Sequence, residues 1–273
     1  MTRRLRLDAE LVRRGLARSR DQAADLIAQG RVTVGGGVAH KGSTAVGTDA
    51  AVVVLADGDD EPEYVSRGAH KLAGALTALG GPVTSGRRCL DAGASTGGFT
   101  DVLLRRGARQ VVAVDVGYGQ LAWRLQQDPR VRVVDRTNVR DLTPEQIEGE
   151  VDLVVADLSF ISLRLVLPAL VRVSRPDGDI VCMVKPQFEV GRQRLGRGGV
   201  VREPALRAEA VIEVAGAAHA LGWGTAGVTA SPLPGPAGNV EYFCWLRRDA
   251  PPPSTEAVDG AVAAGPTGER LTR

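Results

Sequence analysis

Of the 34 basic residues in this chain only Lys41, Lys71 and Lys185 are lysines. Such an arginine excess is what the codon bias of a GC-rich genome would produce, and against that background the surviving lysines are informative. A guanidinium keeps its proton at any working pH, whereas an amine can be tuned by its surroundings. Lys185 closes the apolar run 181–184, and Asp157 closes the run 154–156. Both therefore fall at the carboxyl edge, where open α/β sheets bind ligands. Glu241 interrupts the otherwise apolar strand 240–246, so a buried carboxylate there needs a partner. Lys71 follows Ser66, Arg67, Gly68, Ala69 and His70. Each of the four taken alone reads as a strand-end ion pair.

A second constellation precedes Asp157. Residues 91–98, DAGASTGG, place Gly93, Gly97 and Gly98 around Ser95 and Thr96 in a turn between a strand and a helix. Backbone without Cβ atoms lets a ligand approach closely. The spacing is not the G-x-G-x-x-G of pyrophosphate binding. Asp115 ends the next strand, and an acid there can take two ribose hydroxyls. Asp91, Gly93, Ser95, Thr96, Gly97, Gly98, Asp115 and Asp157 thus fit S-adenosylmethionine better than a dinucleotide, with Asn138 placed to line the adenine. Cys89, Cys182 and Cys244 lie in short apolar runs without metal-ligand spacing. They are expected to be buried thiols of a cytoplasmic protein, and no metal is expected.

The elements that must position these groups fall in three parts. The 273 residues include 44% apolar and 24% charged types, which excludes wholesale disorder. The longest uncharged stretch, 214–240, holds six Gly and three Pro and is no membrane span; no leader is apparent. Residues 1–60 read as a basic module, 61–84 as a linker and leading helix carrying Lys71, and 85–248 as the main domain. The tail 249–273, opening on three prolines, reads as disordered. In the main domain strands are expected at 88–93, 110–116, 131–135, 151–158, 179–185, 227–231 and 240–246, with helices near 97–106, 118–127, 162–174 and 203–221. Repeated strand–helix units imply an α/β fold: a seven-stranded, mostly parallel Rossmann-like sheet ending in an antiparallel hairpin. Trp123, Trp223 and Trp245 are expected in its core.

In the basic module Leu5, Leu7, Leu11, Val12 and Leu16 suggest one helical face, and Ser19 caps a second helix over 20–29. Eight arginines against four acids in residues 1–31, with no aromatic before Tyr64, suit a reader of RNA shape and phosphates rather than a base-stacking platform. The pattern from Arg6 through Ser19, with Gly30 and Lys41, resembles an S4 domain, a small α+β RNA-binding fold. Arg4, Arg6, Arg18, Arg20, Arg31 and Lys41 are its candidate RNA contacts. The loop 186–202 adds Arg192, Arg194 and Arg197 as a lid over RNA phosphates, and Arg67 flanks Lys71.

The order Lys71, Asp157, Lys185, Glu241 resembles the catalytic tetrad of FtsJ-type ribose 2′-O-methyltransferases. With the S4-like module, residues 1–248 resemble the TlyA family of ribosomal RNA methyltransferases, also labelled haemolysin A. The strings SRGAHKL, DAGASTGGFTD, DRTNVR, DLSFIS, VKPQFE and NVEYF carry the match. The resemblance implies S-adenosylmethionine-dependent 2′-O-methylation of cytidines in 16S and 23S ribosomal RNA, with ribosomal subunits as partners and neither DNA nor membrane. It implies that Lys185 serves as a neutral general base beside Lys71, or as a charged stabiliser of the developing alkoxide, with Asp157 and Glu241 orienting the amines. Competing readings are an amino-group methyltransferase, which would carry Asp/Asn-Pro-Pro-aromatic where this chain has residues 157–160, DLSF; a non-catalytic RNA-binding or assembly factor; and a membrane-lytic protein.

Overall fold

The computed structural model describes residues 4–28, 30–48, 50–54, 64–196, 198–235 and 237–266, the side chain of Arg192 excepted. The chain divides into two compact units, residues 1–63 and 64–273.

In the first unit β1 (Arg4–Arg6) runs into α1 (Leu7–Arg13), followed by α2 (Arg20–Ala28), β2 (Val32–Val34), β3 (Gly37–Val38), β4 (Ala45–Gly47) and β5 (Val52–Val54). β1 pairs with β4, and β3, β2 and β5 form a three-stranded antiparallel sheet. Leu7, Leu11, Ala23, Ile27 and Val32 make its core. The expected first helix is shorter than its apolar spacing suggested. Leu5 pairs with Val46 as a strand residue, and Leu16 lies beyond α1 and is partly exposed. Gly35 and Gly36 both take positive φ in the β2–β3 turn, as a tight hairpin requires.

The second unit begins with α3 (Arg67–Ala78). Then come β6 (Arg88–Ala92), α4 (Gly98–Arg105), β7 (Gln110–Val114), α5 (Trp123–Gln126), β8 (Val131–Val134), β9 (Val151–Ala156), α6 (Leu163–Val173), β10 (Ser174–Val184), α7 (Pro186–Glu189), α8 (Pro204–Ala220), β11 (Gly224–Ala230), β12 (Tyr242–Arg247) and α9 (Thr255–Ala264). The sheet order is β11-β12-β10-β9-β6-β7-β8, parallel except that β12 is antiparallel to both neighbours. Strands buried on both faces read as unbroken apolar runs, and one hydrophobic cluster forms on each face of this sheet. The seven expected strands and the final antiparallel hairpin are all present. Strand order reverses between β6 and β9, which opens the crevice that holds ligands in such sheets.

Several expectations need correction. The tail is ordered as far as Pro266: Ser254 caps α9 by accepting from the Ala257 N–H, and Val258 and Ala261 are buried where α9 packs on α8 and β11. Its apolar stripe is made of alanines and two valines, too weak to stand out beside three prolines. The tail residues 267–273 lie outside the described residues. The helix expected over 118–127 shrinks to α5, because Asp115 and Asp135 capture the Gly117 and Gly119 N–H groups and hold a turn. Trp223 is buried, but Trp123 is 72% exposed. Glu241 does not interrupt a strand; it sits one residue ahead of β12.

Candidate active site

The glycine turn sits at the β6–β9 switch point. Gly93 has φ +89°, and a Cβ on it would stand 2.5 Å from the Asp157 carbonyl oxygen, so only glycine fits. The Asp157 N–H donates to the Ala92 carbonyl at 3.0 Å, zipping the two strand ends together where the chain directions part. Gly97, at φ +94°, is the N-cap of α4 and packs against Leu121 and Leu125. A Cβ on Gly98 would come within 2.9 Å of the Ala69 nitrogen, so α4 and α3 meet first turn to first turn. That contact fixes α3, and with it Lys71, over the turn.

Asp115 joins the turns after β6 and β7. Its carboxylate accepts from the Ser95 N–H at 2.8 Å and from the Gly117 N–H at 2.7 Å. Asp91 lies beneath the turn rather than in the cleft. It is fully buried, accepts from Thr100 Oγ1 at 2.7 Å, and leaves Oδ1 without a partner. Burial pushes its pKa up to about 7, against the pull of the Thr100 hydrogen bonds. Asn138 caps a 3₁₀ turn by accepting from the Arg140 N–H.

One cleft gathers the four charged residues, from α3, from the positions just after β9 and β10, and from the segment before β12. Lys71 Nζ is 2.5 Å from Glu241 Oε2, across 170 residues of sequence, and both groups are buried. Lys185 Nζ is 2.6 Å from Asp157 Oδ1 and 3.0 Å from Ser159 Oγ. Gly93, Ser95, Thr96, Gly98 and Arg67 complete the wall. Each amine is thus met by its own carboxylate. The partner that a buried Glu241 demands is Lys71.

Sequence reasoning missed the residues that brace this cleft. Phe160 is 91% exposed at φ +64°, a conformation unfavourable for a bulky side chain, and its ring lies 5.3 Å from that of Phe188. Glu189 accepts from the Leu163 N–H at 2.8 Å and from Ser162 Oγ at 2.5 Å, pinning the segment after Lys185 to the segment after Asp157. Asn239 accepts from the Val201 N–H at 2.9 Å and donates to the Gly199 carbonyl at 3.0 Å, holding the far end of the Gly/Arg loop two residues from Glu241. The strings DLSF, QFE and NVE contain these residues, but spacing alone does not separate a brace from a reactant.

The candidate RNA contacts divide by what else they hold. In the first unit Arg6 and Arg20 both pair with Asp8, at 2.8 and 3.1 Å. The Arg6 hydrogen bonds do most to draw that carboxyl down to about 2, against burial. Arg13, then Arg14, hold buried Glu10 at about 2 in the same way, and Arg14 also donates to the Thr48 and Ala50 carbonyls. Arg4, Arg18 and Lys41 are exposed and Arg31 is half-buried. In the second unit Arg67 lines the cleft, while Arg194 pairs with Glu209 and donates to the Val190 carbonyl. The Arg192 side chain and Arg197 lie outside the described residues.

Comparison with known proteins agrees with this architecture. A family model described as FtsJ-like methyltransferase matches residues 64–248, and one described as S4 domain matches residues 5–52. The chain is 61% identical over 271 residues to a 16S/23S rRNA (cytidine-2′-O)-methyltransferase TlyA of Mycobacterium tuberculosis, covering 97% of this chain and all of the relative. It is 36% identical over 241 residues to Hemolysin A of Brachyspira hyodysenteriae, covering 88% of this chain and 98% of that protein. A solved hemolysin candidate from Streptococcus thermophilus superposes with a TM-score of 0.73 at 36% identity, covering 96% of both chains. An S4 domain followed by an FtsJ-like methyltransferase domain, matched across nearly the whole chain, makes this protein a member of the TlyA family of methyltransferases.

Proposed function

We propose that this chain transfers a methyl group from S-adenosylmethionine to the 2′-hydroxyl of cytidines in 16S and 23S ribosomal RNA. The observation that carries the reading is the convergence of two lysine–carboxylate pairs, Lys71–Glu241 and Lys185–Asp157, on one cleft beside the glycine turn. The residues present fit the cofactor. Gly93 and Gly98 leave the cleft floor free of Cβ atoms, Ser95 and Thr96 present backbone, Asp115 stands behind the turn, and Asp157 supplies negative charge for a cationic ligand. When bound, S-adenosylmethionine supplies an electrophilic methyl carried on a sulfonium.

The side chains do the remainder. A ribose hydroxyl is a poor nucleophile until its proton leaves. Lys185 Nζ accepts that proton as the new O–C bond forms and the S–C bond breaks, and Asp157 stabilises the ammonium that results. Glu241 and Lys71 tie the start of β12 to α3 and hold the hydroxyl in line. Exposed Phe160, its ring 5.3 Å from that of half-buried Phe188, offers an aromatic face to the base of an extruded nucleotide. The S4 unit supplies sequence-independent contacts to folded RNA through its arginines. Residues 157–160, DLSF, lack the prolines of amino-group methyltransferases. No helix among the described residues is long and apolar enough to cross a membrane. We place the protein in the cytoplasm with ribosomal subunits as its substrate.

Incubation with labelled S-adenosylmethionine and separated ribosomal subunits tests this reading. Label is expected in RNA of both subunits; the absence of label from either RNA overturns it. Lys185→Arg separates the two roles open to that residue: a guanidinium cannot accept the proton, so turnover should vanish, and appreciable activity would favour a permanently charged stabiliser.

A further inference from the structure

We infer that Ser159 is a positioning residue for methyl transfer, the second anchor that aims Lys185 at the substrate hydroxyl; this rests on the role proposed above for Lys185. Ser159 lines the cleft, and its Oγ accepts from Lys185 Nζ at 3.0 Å, the same nitrogen that stands 2.6 Å from Asp157 Oδ1. A neutral amine has two N–H bonds and one lone pair at tetrahedral positions. The ion pair with Asp157 Oδ1 is close but lacks hydrogen-bond alignment, so it does not fix which position the lone pair takes. The hydrogen bond to Ser159 Oγ takes up one N–H and restricts the lone pair to the two positions that remain for the incoming hydroxyl. The arrangement also leaves the Ser159 hydroxyl proton without an acceptor among the described residues, free to meet an oxygen of the bound nucleotide.

The backbone around Ser159 is built to keep it there. The segment starts at Asp157, whose N–H is tied to Ala92, and ends at Ser162 and Leu163, both held by buried Glu189. Between them Phe160 adopts φ +64°. A left-handed phenylalanine persists only where its surroundings over-determine it, and such strain concentrates at functional sites. Here the turn it makes sends the Ser159 side chain back to Lys185 and leaves the Phe160 ring outside.

The test uses the full chain, the ribosomal subunit it methylates and labelled S-adenosylmethionine. Ser159→Ala and the nearly isosteric Ser159→Cys, whose thiol is a weak acceptor, should each lower kcat roughly 10- to 100-fold. KM for the subunit, cofactor affinity and melting temperature should stay at wild-type values. Ser159→Thr, which keeps the hydroxyl, should restore most of kcat. Wild-type kcat in Ser159→Cys overturns the inference, and so does a joint loss of kcat, cofactor affinity and melting temperature, which marks a merely structural serine. Lys185→Ala is run in parallel. If it retains turnover, the role of Lys185 itself has failed; if it is inactive while Ser159→Ala is not, the failure belongs to Ser159 alone.

Discussion

The two units use opposite charges for different ends. In the S4 unit Asp8 and Glu10 are each gripped by two arginines, at distances from 2.6 to 3.1 Å, and the guanidinium sides of these pairs reach the surface. Planar forks on carboxylates fix a small fold whose core is only about ten side chains. The methyltransferase unit also pairs arginines with Asp101, Asp179 and Glu189 away from its cleft. At the cleft itself the paired basic residues are lysines, both nearly buried, and both pairs open on it. A compact amine can exchange a proton and a guanidinium cannot. The contrast teaches that residue type, more than the presence of an ion pair, separates charge used as scaffold from charge used as chemistry.

The contrast can be broken most sharply at Lys185. Lys185→Ala should lower kcat by about 10²–10⁴-fold, the usual worth of a general base, while cofactor titration stays near wild type. Loss of cofactor affinity with turnover intact would reverse the assignment. Next comes Lys71. Lys71→Met leaves Glu241 buried without a partner and should cost about 3–5 kcal/mol by chemical denaturation. Adding Glu241→Leu should recover most of that stability without recovering transfer. Recovery of transfer would reduce the pair to scaffold, like its counterparts in the S4 unit.

Smaller effects appear in pH. Asp91, raised to about 7 by burial, contributes stability that is present below pH ~4 and is lost as pH climbs toward 7. Relative to wild type, the melting temperature of Asp91→Asn should therefore rise progressively across that window; a pH-independent difference would show that Asp91 does not titrate there. Asp8 and Glu10, held near 2 by arginines, behave in the reverse sense. Their contribution is present above pH ~4 and is lost as pH falls toward 2. Glu10→Gln should lower the stability of the S4 unit at neutral pH, read by circular dichroism, and the difference from wild type should shrink as pH falls toward 2.

What could be read from residue order alone follows from the range of the forces involved. The inner strands β7, β9 and β12 and the second half of β10 are near-continuous apolar runs buried on both faces, and such runs announce themselves locally. Lys185 and Asp157 stand at the ends of two of them, so their shared edge was legible as well. The brace residues were not. Glu189 and Asn239 each act through two hydrogen bonds, across 26–27 and 38–40 residues, and no local pattern reports such partners. Asp91 resembled a ligand contact because it opens the glycine turn, yet strand alternation carries it underneath. Helix α9 escaped notice because alanines packing on a neighbouring helix carry little periodic signal.

The most direct test of the account is nucleoside mass spectrometry of ribosomal RNA methylated by the wild-type chain and by Lys185→Ala. The account predicts 2′-O-methylcytidine as the product of the wild-type chain and none from the variant. A methyl group on a base nitrogen, or undiminished ribose methylation by Lys185→Ala, would contradict it.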